Sequence, residues 1–342
     1  MREPLLTSPV LVTGAAGFIG YHVVRRLLAD GVPVVGVDSF TPYYDIGLKE
    51  ARWAELTRIN SYRGERVDLA DETATRALFA RHRPKRVIHL AAQPGVRKAL
   101  TEPNPYVTQN VVAFLQILEA CRHGAVEHLV YASSSSVYGA NRKLPFSEHD
   151  PTNHPVSLYA ATKRANEGMA HAYAHLFGLP ATGLRFFTVY GPWGRPDMAV
   201  YAFTHAIAQG RVIEVAEGGK VWRDFTYVDD IVEGIVRVLD RPAAADPSWN
   251  AEAPDPATAG VPHRVYNIGN DRPEELNGLI AYIEEALGRR ATRIAVPLPP
   301  GDVIETRADL TDLRRDVDFA PSIPLQEGVR RFVAWYRQYH GA

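Results

Sequence analysis

The sequence has one cysteine and no long apolar run. The single Cys121 excludes a disulfide within the chain and is typical of a protein from a reducing compartment. No apolar run approaches the roughly 20 residues that a helix needs to cross a bilayer. Pro4 and Pro9 interrupt the N-terminal segment, where a secretory leader would need an apolar core. We therefore expect a cytoplasmic protein that does not bind membranes.

Concentrated charge of either sign is also lacking. The 342 residues carry 38 Lys and Arg against 39 Asp and Glu, which gives a formal net charge of −1. Without a long basic block, nucleic acid and anionic membranes are poor partners. The length and the 46% hydrophobic content indicate a globular protein of about two lobes. We expect no metal site.

A glycine-rich turn between two apolar runs stands near the start of the chain. Residues 10–13 predict a buried strand, and Gly14, Gly17 and Gly20 follow with the spacing G-x-x-G-x-x-G before a helix. Asp38 closes the next apolar run. This order of strand, glycine turn, helix, strand and acid is the context of a dinucleotide site.

Each residue of that pattern has a physical role in binding a dinucleotide. The glycines permit a tight turn, a close approach of pyrophosphate to the backbone and close helix–strand packing, and the helix N-terminus faces the pyrophosphate. Asp38 can accept hydrogen bonds from the adenosine ribose. Its charge would repel a 2′-phosphate, so NAD is favoured over NADP. The alternative is a glycine turn that only packs, which the full context disfavours.

Strand-like and helix-like segments keep alternating beyond this point. Expected strands are one that ends at 65–67 and those at 86–90, 129–132 and 182–186, and expected helices are 71–81, 106–122 and 157–177. The alternation predicts an α/β fold with a Rossmann-type, doubly wound parallel sheet. Ligands bind at the carboxyl edge of such a sheet, which places Asp68 and Leu69 near the adenine and Ala91 and Ala92 near the pyrophosphate.

Tyr159 and Lys163 are i, i+4 neighbours in the expected helix 157–177, and the serine run 133–136 precedes them. A free phenol loses its proton near pH ~10, and a fixed ammonium one turn away lowers that pKa. A hydroxyl of the serine run would hold a substrate oxygen beside the phenol. This set suits a base that takes a proton from a sugar or alcohol hydroxyl while hydride leaves the same carbon. Because Tyr-x-x-x-Lys is common by chance, the interpretation depends on the nicotinamide site.

The pattern changes after residue 187. Further expected elements are a Pro/Gly-punctuated loop at 189–196, helices at 197–209, 274–287 and 325–339, a helix ending near 239, and a strand at 265–268. Residues 243–264 predict an irregular insertion. We expect an N-terminal domain of residues 1–187, with returns near 224–240 and 264–270, and a smaller C-terminal α/β lobe of residues 188–342.

Several motifs stand in the order found in extended short-chain dehydrogenase/reductases, the NAD-dependent epimerase/dehydratase family. They are residues 13–20, Asp38, Asp68, the pair Ala91-Ala92, the serine run followed by Val137-Tyr138-Gly139, Tyr159 with Lys163, residues 185–188 and residues 223–225. The chain resembles this family over nearly its whole length. The stretches 92–97, 132–139, 155–159 and 184–197 are most similar to its UDP-glucuronate 4-epimerases.

The resemblance implies a tightly bound NAD, regenerated in each turnover, and a UDP-sugar substrate. Implied cofactor-binding residues are Gly14, Gly17, Phe18, Ile19, Gly20, Asp38, Asp68, Leu69, Leu90, Ala91, Ala92, Tyr159, Lys163, Phe186 and Val189. Implied substrate-binding residues are Arg97, Ser134, Ser135, Ser136, Tyr159, Thr188, Arg195, Arg223 and Asp302. Tyr159, Lys163, Ser134 and Ser136 are the implied catalytic residues.

The implied roles follow the family. Tyr159 is the acid/base, Arg195 and Arg223 hold the diphosphate with their guanidinium forks, and Asp302 contacts the uridine ribose. For the arginines the alternative is a surface ion pair. The family commonly dimerises by pairing two helices, here 105–122 and 158–177, so we expect a homodimer.

The serine run also discriminates within the family. In related 4,6-dehydratases an Asp-Glu pair takes the positions of Ser135 and Ser136, and UDP-glucuronate decarboxylases carry Glu at the second position. Serine cannot act as a general acid near pH 7, but it can hydrogen-bond a carboxylate. Thr188 stands where galactose-type epimerases usually have Asn, which also suits a C6 carboxylate. Lys98 and Gln109 depart from the residues expected beside the cofactor.

The expected reaction is NAD-dependent C4 epimerisation of UDP-glucuronate to UDP-galacturonate through a 4-keto intermediate. Because that intermediate is a β-keto acid, we expect Ser135, Ser136 and Thr188 to hold its carboxylate against loss of CO2; the alternative is hydroxyls that only cap a strand end. Other nucleotide-sugar 4-epimerases and UDP-glucuronate decarboxylases are alternative activities. A non-catalytic NAD-binding regulator is the alternative from another class, and such proteins can lose the Tyr159/Lys163 pair that is intact here.

Overall fold

A seven-stranded sheet organises the first part of the chain. The computed structural model describes residues 8–299 and 301–341, so the segment around Pro4 and the expectation made for it lie outside the described residues. In sheet order the strands are β3 (Tyr62–Arg66), β2 (Val34–Asp38), β1 (Val10–Thr13), β4 (Arg86–His89), β5 (His128–Ser134), β6 (Ala181–Phe186) and β10 (His263–Ile268). The pairings from β3 through β6 are all parallel. This is the doubly wound strand order, so the predicted Rossmann-type fold is confirmed.

Three inner strands of this sheet are buried along their whole length. β1, β2 and β6 are buried at every position, as expected for parallel strands covered on both faces. A hydrophobic core forms between strand residues and residues of the 72–82 and 113–123 helices, including Leu11, Val35, Val87, Leu129, Leu78, Phe79, Phe114, Ile117 and Leu118. Burial of these apolar side chains is the main stabilising contribution to the sheet.

Six α-helices accompany the sheet in the described chain up to β6. They are α1 (Phe18–Ala29), α2 (Ile46–Thr57), α3 (Glu72–His82), α4 (Asn104–Val107), α5 (Ala113–His123) and α6 (Leu158–Phe177). Helix α6 begins after Ser157, whose Oγ accepts a hydrogen bond of 3.1 Å from the Ala160 N–H. It ends at Gly178, which has the left-handed φ of 65° that favours glycine. The predicted helix 157–177 is therefore confirmed.

Two local predictions differ from the structure. The expected single helix 106–122 is divided by a wider, π-type turn at Thr108–Val112. Within that turn the buried Asn110 side chain bonds both backbone groups of Gln93, which ties the turn to the segment after β4. Helix α2 was not expected, because it buries Lys49 and Arg52 and its apolar period is therefore disguised.

The later part of the chain forms two small sheets and five α-helices within the described residues. The sheets are β11 (Pro273–Glu275), β9 (Trp222–Tyr227) and β7 (Thr188–Tyr190) in that order, and β12 (Arg293–Val296) beside β8 (Ile213–Ala216). The helices are α7 (Ala199–Ala208), α8 (Val228–Leu239), α9 (Leu276–Leu287), α10 (Thr311–Val317) and α11 (Leu325–His340). The expected helix 274–287 begins only at Leu276, because 273–275 pair antiparallel with β9.

The chain divides into two compact units. The first contains the chain up to Arg142, Glu148–Phe186 and Val232–Asn267, and the second contains Lys143–Ser147, Phe187–Ile231 and the chain from Ile268 onward. These boundaries differ from the expected ones: the first unit is rejoined at 232–267 rather than at 224–240 and 264–270. The reason is strand pairing, since β9 pairs with β7 and β11 while β10 joins the main sheet. In the described chain no helix is long and apolar enough to cross a membrane.

The expected irregular insertion at 243–264 lies in the first unit rather than in the C-terminal lobe. Residues 243–262, all described, contain neither helix nor strand, and β10 begins at His263. Its backbone is held by local hydrogen bonds, including those from the Ser248 N–H to Asp246 and from the Glu252 N–H to Asn250.

Candidate active site

The glycine turn after β1 has the geometry of an anion site. Gly17 N–H donates to the Gly14 carbonyl at 2.8 Å, and Gly14 has a left-handed φ of 69°. A Cβ on Gly14 would lie 2.9 Å from the Ala91 nitrogen, and one on Gly20 would overlap the Gly14 carbonyl oxygen. Helix α1 starts at Phe18, followed by Ile19, with no side-chain cap and no acidic residue in its first turn. A helix N-terminus without a side-chain cap or an acidic residue is suited to bind an anion.

Asp38, at the end of β2, is buried beside this turn. Its carboxylate accepts hydrogen bonds from the Ala16 N–H at 3.2 Å and the Phe40 N–H at 2.8 Å. The buried Lys49 ammonium lies 3.3 Å from it. The Arg52 guanidinium donates to the Ala16 carbonyl at 2.8 Å. Asp38 thus holds the glycine turn in place and also lies at the carboxyl edge of the sheet. Sequence reasoning missed the two cations, Lys49 and Arg52, because it missed α2.

Thr13 links the ends of β1 and β4. Its hydroxyl accepts from the Ala91 N–H at 3.1 Å and lies 2.9 Å from His89 Nδ1, while its carbonyl accepts from the Leu90 N–H. Burial, with the nearby Lys163 charge, lowers the pKa of His89 to about 3, so the imidazole is neutral and can accept from the hydroxyl. The small pair that begins at Ala91 is thereby held against the glycine turn, and its expected place near a pyrophosphate stays a prediction.

Asp68 and Leu69 follow β3. Asp68 is exposed and accepts from the Ala70 N–H at 3.0 Å and from Gln109 Nε2 at 3.2 Å. The Leu69 side chain is buried, and its carbonyl accepts from Thr75. Gln109, an unexpected residue in the sequence, therefore orients Asp68.

Tyr159 and Lys163 lie one turn apart on α6. The Lys163 ammonium is buried and donates to the Ala132 carbonyl of β5 at 2.9 Å, and burial lowers its pKa to about 8. At neutral pH it is therefore still largely charged, as required to stabilise a phenolate. Tyr159 is half-buried, and its ring meets Tyr106 edge to face at 6.3 Å between centroids.

The serine run forms the end of β5 and a short helical turn, Ser135–Tyr138. Ser134 Oγ accepts from the Ser136 N–H at 3.2 Å and donates to Ser136 Oγ at 3.1 Å. Ser135 and Ser136 are half-buried. Ser134 therefore has the capping role that was the alternative interpretation of these hydroxyls, because it caps the turn Ser135–Tyr138. This role is compatible with binding a substrate.

A buried ion pair that sequence reasoning missed lies behind the serines. Glu167 accepts from Ser133 Oγ at 2.6 Å and from Arg185 Nε and Nη2, both at 2.9 Å. Burial alone favours the neutral acid, but the Arg185 guanidinium and the hydroxyl hold the pKa of Glu167 below its usual value. Glu167 continues the i+4 spacing of Tyr159 and Lys163, and that spacing was the available signal. Helix α6 thus binds two successive residues near the end of β5: Lys163 bonds the Ala132 carbonyl, and Glu167 bonds the Ser133 hydroxyl.

The proposed nucleotide-sugar residues of the second unit lie on β7, β9 and two loops. Thr188 begins β7 opposite Phe225, with buried Val189 next to it. The Arg195 guanidinium forms a two-pronged pair with Asp197 at 3.0 and 2.6 Å. This is the ion pair that the sequence left open as an alternative to diphosphate binding.

Arg223 and Asp302 are near one another within that unit. Arg223 Nη1 donates to the Trp222 and Ile304 carbonyls at 2.9 and 3.2 Å. Burial lowers the pKa of Arg223, and the charge of Asp302 opposes that shift. In the first unit, the exposed Arg97 precedes the turn at Lys98–Leu100, and Phe186 closes β6.

The strand order, the glycine turn and the Tyr/Lys helix together define a dinucleotide-dependent protein of the short-chain dehydrogenase/reductase type. The chain belongs to the NAD dependent epimerase/dehydratase family, whose sequence model matches residues 10–269. NAD fits the residues present: the glycines leave the backbone open, α1 offers uncapped N–H groups, and Asp38 stands at the end of β2.

Individual relatives cover almost the whole chain. Protein CapI of Staphylococcus aureus is 49% identical over 97% of this chain and 99% of its own length. A probable UDP-glucuronate 4-epimerase of Rhizobium meliloti (strain 1021) is 47% identical over 96% of each chain. The crystal structure of UDP-glucuronic acid 4-epimerase from Bacillus cereus, in complex with UDP-glucuronic acid and NAD, superimposes with a TM-score of 0.86. It is 31% identical, and the match covers 97% of this chain and 99% of that one.

Proposed function

We propose that the protein interconverts UDP-glucuronate and UDP-galacturonate at C4 with a bound NAD. The observation that carries this proposal is the face of α6, where Tyr159 and Lys163 follow a β5 end made of serines instead of acids. The activity named for the relatives from Rhizobium meliloti and Bacillus cereus supports it. A decarboxylase or dehydratase is disfavoured because neither Ser135 nor Ser136 can supply the general acid.

The chemistry of the chain's own residues follows from this geometry. NAD, when bound, would supply the hydride acceptor and donor for C4. Tyr159 takes the C4 hydroxyl proton as the sugar becomes a 4-keto intermediate, and gives it back after the intermediate has presented its other face. The buried Lys163 ammonium stabilises the phenolate between these two steps. Ser134 holds the C4 oxygen, and Ser135 and Ser136 bond the C6 carboxylate.

The anchoring of the nucleotide is proposed for Arg97 and for residues of the second unit. A diphosphate would offset the burial penalty that lowers the pKa of Arg223, because it places two negative charges beside a half-buried guanidinium. Arg195 would exchange its Asp197 partner for the same diphosphate. Asp302 would take the uridine ribose, and Thr188 the substrate carboxylate. We propose accordingly that the first unit binds NAD and the second mainly the nucleotide sugar.

The cytoplasmic location and the homodimer also stand as proposals. Apolar side chains are exposed along the α4–α5 segment and α6 of the first unit, namely Val107, Val112, Leu115, Leu176 and Phe177. Pairing of these helices between two copies would cover them. Light scattering coupled to gel filtration checks the mass, and a monomer at all concentrations would contradict the dimer.

The test of the activity is NMR of the purified protein with UDP-glucuronate and no added reductant. We expect a mixture of UDP-glucuronate and UDP-galacturonate. Under the same conditions we expect no conversion of UDP-glucose to UDP-galactose. A UDP-pentose with release of CO2 would identify a decarboxylase, and turnover of UDP-glucose alone another 4-epimerase. Bound NAD without any turnover would identify a regulator.

A further inference from the structure

The two strands that flank β1 are followed by segments that meet. In the sheet β1 lies between β2 and β4, all parallel, so residues 39–45 and 90–98 leave the sheet on either side of the glycine turn. Tyr43 of the first segment reaches Gly95 of the second. Gly95 has a φ of 86°, and a Cβ there would overlap the Tyr43 hydroxyl oxygen. We call these two segments, joined at Tyr43 and Gly95, the arch.

The contact is reinforced by a cation. Lys98, which the sequence could not place, holds its ammonium 5.2 Å from the centre of the Tyr43 ring. A cation over a tyrosine face is attracted by the ring's negative quadrupole. The arch therefore joins its two segments both through the hydroxyl end of Tyr43 and through its ring.

The first segment is tied to the glycine turn at its base. Tyr44, the neighbour of Tyr43, accepts from the Arg52 guanidinium at 2.7 Å, and the same guanidinium binds the Ala16 carbonyl within the turn. Asp38, where this segment starts, accepts from the Ala16 N–H. This side of the arch therefore has a fixed position relative to the turn.

The second segment is fixed as well. Gln93 exchanges two hydrogen bonds with Asn110, at 2.7 and 3.1 Å, and the Pro94 carbonyl accepts from the Tyr106 hydroxyl at 2.8 Å. The Tyr106 ring packs on Tyr159. Both segments are therefore anchored by other contacts, and Tyr43 and Gly95 join them to each other.

We propose that the arch closes over the pyrophosphate of the bound dinucleotide and that its opening governs release of NAD. The inference rests on the proposed NAD site, since the pyrophosphate lies at the glycine turn that the arch crosses. A cofactor regenerated in every turnover has no need to leave, so a closed cover does not slow the reaction. Tyr43, Gly95 and Lys98 are thus cofactor-retaining residues, separate from Tyr159 and Lys163, which carry the chemistry.

The experiment measures NAD release from the loaded protein, separately from epimerisation. Holoenzyme is freed of unbound NAD and mixed with alcohol dehydrogenase and ethanol, so that each released NAD is converted to fluorescent NADH. We expect Tyr43→Ala to release NAD about tenfold faster or more, and Tyr43→Phe and Lys98→Met to show smaller increases. Pro42→Ala, an exposed change in the same segment, is the matched control and should release NAD at the wild-type rate.

A double-mutant cycle tests the contact itself. Gly95→Ala should speed release in the wild type, because its methyl group collides with the Tyr43 hydroxyl. In the Tyr43→Ala background that collision is absent, so the added effect should be smaller. Equal effects of Gly95→Ala in both backgrounds would overturn the Tyr43–Gly95 contact as the closing element.

The remaining outcomes separate the arch from the proposed function. Circular dichroism first establishes that the Tyr43→Ala variant is folded. If the folded variant releases NAD at the wild-type rate, the arch proposal is overturned and the proposed function is left intact. A wild-type protein that neither carries nor binds NAD overturns the proposed function instead. If Tyr43→Ala does not fold, the test uses Tyr43→Phe and Lys98→Met instead. Release of NAD at the wild-type rate from both variants would reject the proposal.

Discussion

The ion pair behind the serine run gives the sharpest test of how α6 supports the site. Glu167 and Arg185 have exposures of 3% and 1%, and they share two hydrogen bonds of 2.9 Å. Glu167→Gln keeps the shape of the side chain but leaves the Arg185 charge buried without its counter-charge. Ser133 also loses a charged acceptor for its hydroxyl. The first effect falls on Arg185 of β6, the register partner of Ser133, and the second falls on Ser133 itself, one residue before Ser134.

The expected loss can be worked out. Breaking a buried ion pair by removing one partner costs about 3–5 kcal/mol. With an entropy of unfolding of roughly 2.1 cal/mol/K per residue, the 342-residue chain has a total of about 0.7 kcal/mol/K. The melting temperature should therefore fall by about 4–7 °C. Because Ser134 is next to the disturbed serine, kcat should fall as well, while NAD content changes little.

Differential scanning calorimetry measures the loss, with a surface pair as matched control. Glu50 and Arg66 form an exposed pair at 2.6 Å, so Glu50→Gln should cost less than about 1 kcal/mol. Arg185→Met should cost as much as Glu167→Gln, and the double variant should cost less than the sum because no unpaired charge stays buried. A loss for Glu167→Gln no larger than that of the Glu50 control, or strict additivity in the double variant, would refute the reasoning.

Three further predictions concern the reaction and its cofactor. Tyr159→Phe should lower epimerisation by about 10²–10⁴-fold while the fold and NAD content persist; near-full activity by product NMR would contradict its role as base. Asp38→Ala should weaken NAD binding through lost charge-assisted bonds, about 1.5–3 kcal/mol, and relax discrimination against NADP, because the buried Lys49 ammonium then meets a 2′-phosphate unopposed. Calorimetric titration with both cofactors checks this, and equal affinity of the wild type for both would refute the stated preference. Ser136→Ala and Thr188→Ala should each leak CO2 and a 4-keto-pentose nucleotide, and the reduced nicotinamide should accumulate in the absorbance spectrum. Clean epimerisation by both variants would show that these hydroxyls do not hold the carboxylate.

Local patterns in the sequence were sufficient for much of the fold and for the centre of the site. The glycine turn, the buried strands and the helix with Tyr159 and Lys163 depend on spacings within a few residues, and these spacings express backbone geometry directly. Asp38 could be placed because an acid that ends a strand must lie at the carboxyl edge of a parallel sheet.

Helix α2 and the turn at Thr108–Val112 could not be predicted in the same way. In α2 two of the buried positions are taken by cations, so the apolar period is not visible in the sequence. The turn is widened where the Asn110 side chain bonds the backbone of Gln93, which is distant in the sequence. Short strands such as β11 depend on partners elsewhere in the chain, since an isolated three-residue segment has no stability of its own.

The tertiary structure alone decided which charged and aromatic groups meet. Lys49 reaches Asp38 because α2 folds back onto the end of β2, and Glu167 reaches Arg185 because α6 packs against β5 and β6. Tyr43 reaches Gly95 because the parallel strands β2 and β4 send the segments that follow them out at one edge of the sheet. Burial then gives the two ion pairs their strength, since a charge removed from water must find a partner within hydrogen-bond distance. Sequence spacing determines which face of an element a residue occupies, whereas long-range pairing and exclusion of water determine what that residue touches.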